Sequence, residues 1–597
     1  MMQLFLAYKF FKEVSADELN ERKDRVENYY FSSLENERLQ YNHSACSNIG
    51  LFFWQPENKK YKFPAWQEDN EYVSCFTYAP KGWEQTLHSP VDINEAPLLF
   101  TRRIKQDPSL MSLLTPPLIF CYLDKTNSSI KIYNDSLGMG KLYELQTDEG
   151  VVYSNKLAAL YLFMNKKAEM DTYAWQIFSS AGWLMGDTSP IKGSVRVKPS
   201  MEITLNNEMN VPKVLKQIGG LSLWVSPRKL DRHSFEEGIT NILESTRSFF
   251  RMFDFPVNSL LSGGKDSRVS SAILIKSGVH STFTTFGPIQ GEIETAQKLM
   301  NLVGLDDRHI VNDRKSEKAS ENPVDLKERL NLLHFAYDGD YPPVRQSGRV
   351  SVNQLYNIIS ASCVGAGGEI ATANYYGNDS IYQSIIKKGD DGPRWRLSRY
   401  LTSSAGNEEI AESVNKEVWA LFEEAKQLGI QGLNAMDYFY LKERLRRWAP
   451  ISGAMNNFTP FATPGFIRLA FDQTPDEKRN YKLHRNILET LIPQWSEVPF
   501  YKDNIIKTGI DEKAANNMRI WQNEDKEYVN DIINNRDIWK SFFNEMEIRD
   551  LWGRAISGES LYPRYEATFQ RIAWICSYED HLKNLNNKIS INDYINS

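Results

Sequence analysis

With 597 residues, the chain exceeds the roughly 250–300 residues at which a single core stops growing, so two or more domains are expected. Apolar residues make up 41% and charged residues 24%, an ordinary globular composition. The formal net charge of -6 gives no global pull toward nucleic acid or anionic membrane, and no run approaches the ~18 apolar residues of a membrane span.

Along the chain, residues 1–215 carry short alternating or apolar segments between turn residues: Leu51–Trp54, Tyr72–Phe76, Leu118–Leu123 and Ile130–Tyr133. That pattern predicts a strand-rich domain, with helices around 155–165 and 172–182. The apolar opening is cut by Lys9 with no cleavage site behind it, which argues against a signal peptide. Residues 206–212 and 227–229 have the composition of a linker to a second domain, 216–597. There, Ser234 and Glu237 have capping-box spacing ahead of Phe235, Ile239, Ile242, Leu243, Phe249 and Phe250 at helical intervals. Strand (257–261), turn, helix (267–277), strand (281–286), helix (293–303) and strand (309–311) follow. This βαβαβ order calls for a parallel sheet. From about residue 405 the pattern turns helical, with Ile410, Val414, Val418, Leu421 and Phe422 on one face. Five scattered cysteines form no CxxC pair, which argues against zinc or a disulfide framework and fits a reducing cytoplasm.

The chemistry concentrates in Ser262-Gly263-Gly264-Lys265-Asp266-Ser267, the turn between first strand and helix. Two glycines let the backbone bend tightly and approach a ligand. Amides at the turn and helix start suit a phosphate or pyrophosphate, and the two serines add hydroxyls. Asp266, an anion, would hold Mg²⁺ rather than phosphate. No Walker-type GxxxxGK[ST] occurs here. Lys265 is expected to face solvent, the eight histidines show no HxxxH or HExxH spacing, and Phe52, Phe53 and Trp54 read as core.

Leu260 to Ser267 resembles the pyrophosphatase loop of the asparagine-synthetase-like family, which includes β-lactam synthetases and lasso-peptide macrocyclases. Asp135 to Tyr143 resembles that family's Asp-x-x-Gly-x-x-Pro-Leu-Tyr stretch, with Lys141 in place of proline. Tyr153–Lys156, Thr188–Pro199, Arg444–Trp448, Pro460-Phe461, Leu483–Arg485 and Pro493 follow its order. The resemblance implies an α/β chain, α+β overall: an N-terminal glutaminase-like αββα sandwich, then a parallel-sheet ATP pyrophosphatase domain with a helical C-terminal part. It implies that ATP lies against Leu261, Ser262, Gly263, Gly264, Asp266, Ser267, Phe286 and Gly367. Mg²⁺ would sit between Asp266 and Glu369, with Lys502, Lys507 and Glu292 as catalytic candidates.

Two departures shape the expectation. Glutamine-dependent members use an N-terminal cysteine as nucleophile, but Met2 stands at that position, so no glutaminase activity is expected and the first domain is a scaffold or substrate binder. Relatives carry Gly-x-Gly-Gly-Asp-Glu where this chain has Gly365-Ala366-Gly367-Gly368-Glu369-Ile370; Glu369 is one methylene longer than aspartate. Glu292 and Glu294 are equally explained as first-turn acids complementing the helix dipole, and Arg444, Arg446 and Arg447 would face phosphate or a surface carboxylate. The implied activity is adenylation of a carboxylate with pyrophosphate release, then transfer to an amine, the substrate being a small molecule or peptide. A macrocyclase would have as partners a precursor peptide and its protease or leader-binding protein. Amidation of a small carboxylate or uronic sugar with ammonia, and nucleotide or partner binding without catalysis, are the alternatives.

Overall fold

A computed structural model describes residues 2–34, 39–87, 91–208, 211–226, 231–287, 289–312, 325–340, 356, 360–404, 406–448, 455–501 and 519–590. The strands up to residue 217 are β1 (Leu4–Phe10), β2 (Leu39–Cys46), β3 (Ile49–Pro56), β4 (Trp66–Glu68), β5 (Tyr72–Thr77), β6 (Ile119–Asp124), β7 (Ser129–Asn134), β8 (Tyr143–Gln146), β9 (Gly150–Ser154), β10 (Ser194–Arg196), β11 (Met201–Asn206) and β12 (Val214–Gln217). They form two six-stranded antiparallel sheets, ordered β10-β8-β9-β1-β3-β2 and β12-β11-β7-β6-β5-β4. Helices α1 (Ala16–Phe31), α2 (Ala96–Gln106), α3 (Leu157–Met164) and α4 (Thr172–Ala181) complete an αββα sandwich. The first strand explains the layering. Phe5 and Ala7 join the core between the sheets, while Leu4, Leu6, Tyr8 and Phe10 pack on helix residues such as Val26, Leu160 and Trp175. A strand covered on both faces must be apolar throughout, which is why no alternation shows in Leu4–Ala7. Phe52, Phe53 and Trp54 are core, as expected.

Residues 206–212, expected as a linker, instead connect β11 to β12, which pair antiparallel in the second sheet. Their turn-forming composition suits a hairpin connection as well as a domain link. Beyond lies α5 (Arg232–Arg251), whose cap is Asp231, its carboxylate accepting from Ser234 N–H at 2.8 Å. Asp and Ser cap about equally well, so the helix begins two residues earlier than Ser234 and places that serine in its first turn. Next come β13 (Val257–Leu260), α6 (Lys265–Lys276), β14 (Ser281–Phe286), α7 (Gln290–Leu302), β15 (His309–Asn312), α8 (Leu326–Tyr337), β16 (Ala361–Cys363) and β17 (Asn457–Phe458). The five strands are parallel, in the order β15-β14-β13-β16-β17. Most of the remaining described residues are helical, in elements that include α9 (Gly392–Leu401), α10 (Lys482–Leu491) and α11 (Pro563–Asn586). Among the described residues, no helix is long and apolar enough to cross a membrane.

The stretches that carry the family resemblance in the first half build the junction with the second. Asp135 accepts four backbone amides, from Leu137 and Met139 on one oxygen and from Leu118 and Gly140 on the other. It therefore orders a turn rather than a ligand. Lys141, where the family has proline, donates to Tyr337 O at 2.9 Å and lies 3.8 Å from Asp340; burial lowers its ammonium to about 8. Asp340 is wholly buried between Arg196 at 2.6 Å and Arg447 at 2.9 Å. Burial works to raise its carboxyl, but Arg447, Arg196 and Lys141 outweigh that and hold it low. Arg446 donates to the carbonyls of Gly186 and Val197. Arg447 thus faces the buried Asp340, while Arg446 adds to those carbonyls a 3.4 Å pairing with Asp187, a carboxylate that keeps 35% exposure.

Helix α11 returns to the first half. Tyr578 packs on Trp175 at a tilt, with ring centres 4.8 Å apart, and Asn586 exchanges two hydrogen bonds with the backbone of Ala168. Against α8 it buries His334, which meets Ser577 Oγ at 2.8 Å, beside His581. Burial pushes both imidazoles below their ordinary range, His581 to about 4.

Candidate functional site

In the parallel sheet, chain order runs outward from β13 through β14 to β15 on one side and from β16 to β17 on the other. The loops leaving β13 and β16 therefore diverge, and in open parallel sheets the crevice at such a switch point, beyond the strands' carboxyl ends, is where ligands bind. The loop after β13 is the serine-glycine turn, and that after β16 is the Gly365–Glu369 segment. Sequence and topology converge on one place.

Leu261 continues the ladder, donating to Thr284 O at 2.9 Å and accepting from the Thr285 hydroxyl at 2.6 Å. The chain then turns, fixed by a serine pair: the hydroxyls of Ser262 and Ser267 meet at 2.9 Å. Ser262 N–H donates to Ser267 Oγ and Gly264 N–H to Ser262 Oγ, both at 3.1 Å. Gly264 is the N-cap of α6 and, having no side chain, supplies no acceptor for the first-turn amides. Those donors and the helix dipole suit an anion. The second loop lies directly on this turn. A Cβ on Gly368 would stand 2.1 Å from Asp266 Oδ1, so a side chain there would force the loops apart, while one on Gly365 would reach ordinary contact, 3.4 Å from Ser267 N. Gly367, at φ +100°, faces Phe461 and Leu445 instead.

Asp266 does not stand open. His484 Nε2, on α10, lies 2.8 Å from its Oδ1, and Lys265 Nζ is 3.5 Å from Oδ2. A carboxylate only accepts, so the His484 proton is on Nε2. Burial would raise the Asp266 carboxyl, but the His484 hydrogen bond and charge, with Lys265, hold it below its ordinary value. Lys265 is folded over the Tyr481 ring at 5.0 Å and onto Asp266, not projected into solvent as expected; its apolar stem packs while its ammonium finds a carboxylate. Glu369 turns back on its own loop, accepting from Gly367 N–H at 3.0 Å and from the Tyr440 hydroxyl. Among the described residues, no group of three or more His, Cys, Asp or Glu is arranged to hold a metal. The turn fits a phosphate group. The two carboxylates, each committed to protein donors, do not fit Mg²⁺ as they stand.

Three neighbours were given no role by sequence reasoning, although His484 falls in the Leu483–Arg485 stretch of the resemblance. His484 is fully buried between Phe461 and Phe466. Arg268, buried in α6, donates to the carbonyls of Gly263, Trp495, Val498 and Pro499 and lies over Phe500 at 4.7 Å. Tyr501 donates its N–H to Gly263 O at 2.9 Å, and its side chain occupies the space that Cβ atoms on Gly263 and Gly291 would fill. Only the glycines hinted at such close approach. Phe286 ends the adjacent strand β14, and Glu292 follows Gly291 in the first turn of α7. Lys502 and Lys507 lie outside the described residues.

The thiols offer no activated nucleophile in the first domain's interior. Burial pushes those of Cys75 and Cys121 up, which disfavours the thiolate. Met2, buried beside β1, carries a thioether that cannot act as one.

No family model matches the chain, and no curated protein sequence matches it. Solved structures that resemble it include an allosteric regulatory enzyme of purine biosynthesis, at 9% identity over 54% of this chain and 82% of that one, with a TM-score of 0.25. Another is glutamine phosphoribosylpyrophosphate amidotransferase from B. subtilis, complexed with ADP and GMP, at 10% identity over 52% and 81%, with a TM-score of 0.23. Likeness at this level fixes neither a family nor an activity.

Proposed function

We propose that the protein is an ATP-dependent ligase that adenylates a carboxylate, releases pyrophosphate and passes the acyl group to an amine. The observation behind this reading is the coincidence of the Ser262–Ser267 turn with the switch point of a parallel sheet. The α6 first-turn amides and the serine hydroxyls would bind the departing pyrophosphate, where fixed donors stabilise developing charge without reorganising. The Asp266–His484–Lys265 cluster would hold the turn against the Gly365–Gly368 loop. The sandwich of residues 1–215 acts as scaffold or substrate binder, and with Met2 in place of a nucleophile the amine is free ammonia or part of the substrate. A peptide whose own amine closes a ring is one such substrate, and there proximity would supply about 7–11 kcal/mol of the barrier.

The engagement of Asp266 by His484 and Lys265 favours a second reading, nucleotide binding without catalysis. Pyrophosphate release separates the two. The ligase reading expects release from ATP that depends on an added carboxylate, and its loss in Asp266→Ala protein whose circular dichroism is unchanged. ATP binding without release, across ammonium and peptide acceptors, would establish the second reading in its place.

A further inference from the structure

A cavity of about 260 Å³ opens at the junction of the sandwich, the end of α9 and the last helix α11. Three guanidinium groups line it, those of Arg444, Arg564 and Arg571, and none of its described lining residues is an aspartate or glutamate. The two halves of the chain meet there on two consecutive residues, Gly182 and Trp183. Arg571 caps α4, donating to Ser179 O at 3.0 Å and Ser180 O at 2.6 Å. Gly182 makes room for it: at φ +86°, its missing Cβ would lie 2.9 Å from Arg571 Nη2. The next residue, Trp183, carries Arg444 on its ring at 4.6 Å. Arg444 reaches this position from a π-helical turn, Tyr440–Leu445, a rare distortion that recurs at functional sites. Arg564 enters from the exposed side, donating to the Tyr565 hydroxyl at 3.0 Å. Burial and the neighbouring charge of Arg444 lower Arg571 to about 10, with Tyr400 opposing.

We propose that this cavity binds the phosphate group of a small phosphate monoester, with Arg444, Arg564 and Arg571 as its ligands. Like charges gathered around an enclosed space stabilise a counter-ion of higher charge, and guanidinium forks match phosphate oxygens in pairs. A dianion balances the cluster better than a carboxylate does. At roughly 30 Å³ per water, the space also exceeds what a bare phosphate fills, leaving room for an ester group beside Tyr400 and Trp183. The site shares no residue with the Ser262–Ser267 turn and stands whether or not the ligase reading holds.

Calorimetric titration with glycerol phosphate tests it, using acetate as the carboxylate control. Binding is expected in the full chain, about tenfold or more weaker in Arg444→Gln/Arg564→Gln, weakened also in Arg564→Gln alone, and unchanged in the surface variant Lys59→Gln. Arg564 is exposed, so its single variant reports even if the double variant fails to fold. No heat with glycerol phosphate at millimolar concentration, equal affinity for acetate, or unaltered binding in the arginine variants would overturn the proposal.

Discussion

Two clusters of charge in this protein are built on opposite terms. Around Asp340 the arginine pair is enclosed: the side chains of Asp340, Arg196 and Arg447 are all at 0% exposure, with only the more distant Lys141 at 16%. Around Asp266, His484 is equally enclosed, but the carboxylate and Lys265 keep 24% and 22% exposure. The first cluster is closed and serves the junction between the halves of the chain. The second opens on the crevice where two loops part. A buried, fully matched ion cluster contributes little net energy yet fails badly when one member is removed; a partly solvated one tolerates such loss and is free to exchange partners. The difference separates structural charge from charge available to chemistry.

The sharpest way to break this contrast is Asp340→Ala. It strands two buried guanidiniums and is expected to cost about 3–5 kcal/mol of unfolding free energy, read by urea denaturation. A loss as small as that of Asp266→Ala would erase the distinction.

Acid offers a second handle. In the folded chain the His581 pKa is depressed, from 6.5 to about 4, so the unfolded state binds more protons between those values. Above pH 6.5 the group is neutral in both states and has no effect; as pH falls toward 4, keeping it unprotonated in the fold lowers stability. The loss amounts to about 3 kcal/mol at 1.36 kcal/mol per unit. His581→Phe should flatten that part of the stability–pH curve, while Asp266 variants leave it unaltered.

Gly368→Ala comes next. Its Cβ would meet Asp266 Oδ1 at 2.1 Å, forcing a shift worth about 1–3 kcal/mol, and pyrophosphate release should fall more steeply than stability. Smallest is the stability effect of Asp266→Ala itself, about 1 kcal/mol, the usual net worth of one hydrogen bond; thermal unfolding checks it.

Much of the architecture was legible because it is local. Helical periodicity placed α5 and the βαβαβ order placed the parallel sheet, each within a window of tens of residues. The serine-glycine turn was legible for the same reason, since its hydrogen bonds close over five residues, Ser262 to Ser267. What was missed is nonlocal. His484 lies 218 positions from Asp266, and Asp340 is 144 from Arg196 and 107 from Arg447. No spacing rule links such residues. Arg268 drew no attention within the helix expected over 267–277, because backbone carbonyls leave no trace in side-chain identity. The first of the two linker stretches was misplaced because turn residues mark a change of direction, whether between strands or between domains; the second, 227–229, lies outside the described residues.

The return of α11 to the sandwich carries a consequence for how the chain assembles. Asn586 secures Ala168 across 418 positions, so during synthesis the apolar flank of Trp175 waits uncovered while most of the polypeptide emerges. Such distant closure slows the final docking and exposes the early half to wrong contacts in the interval.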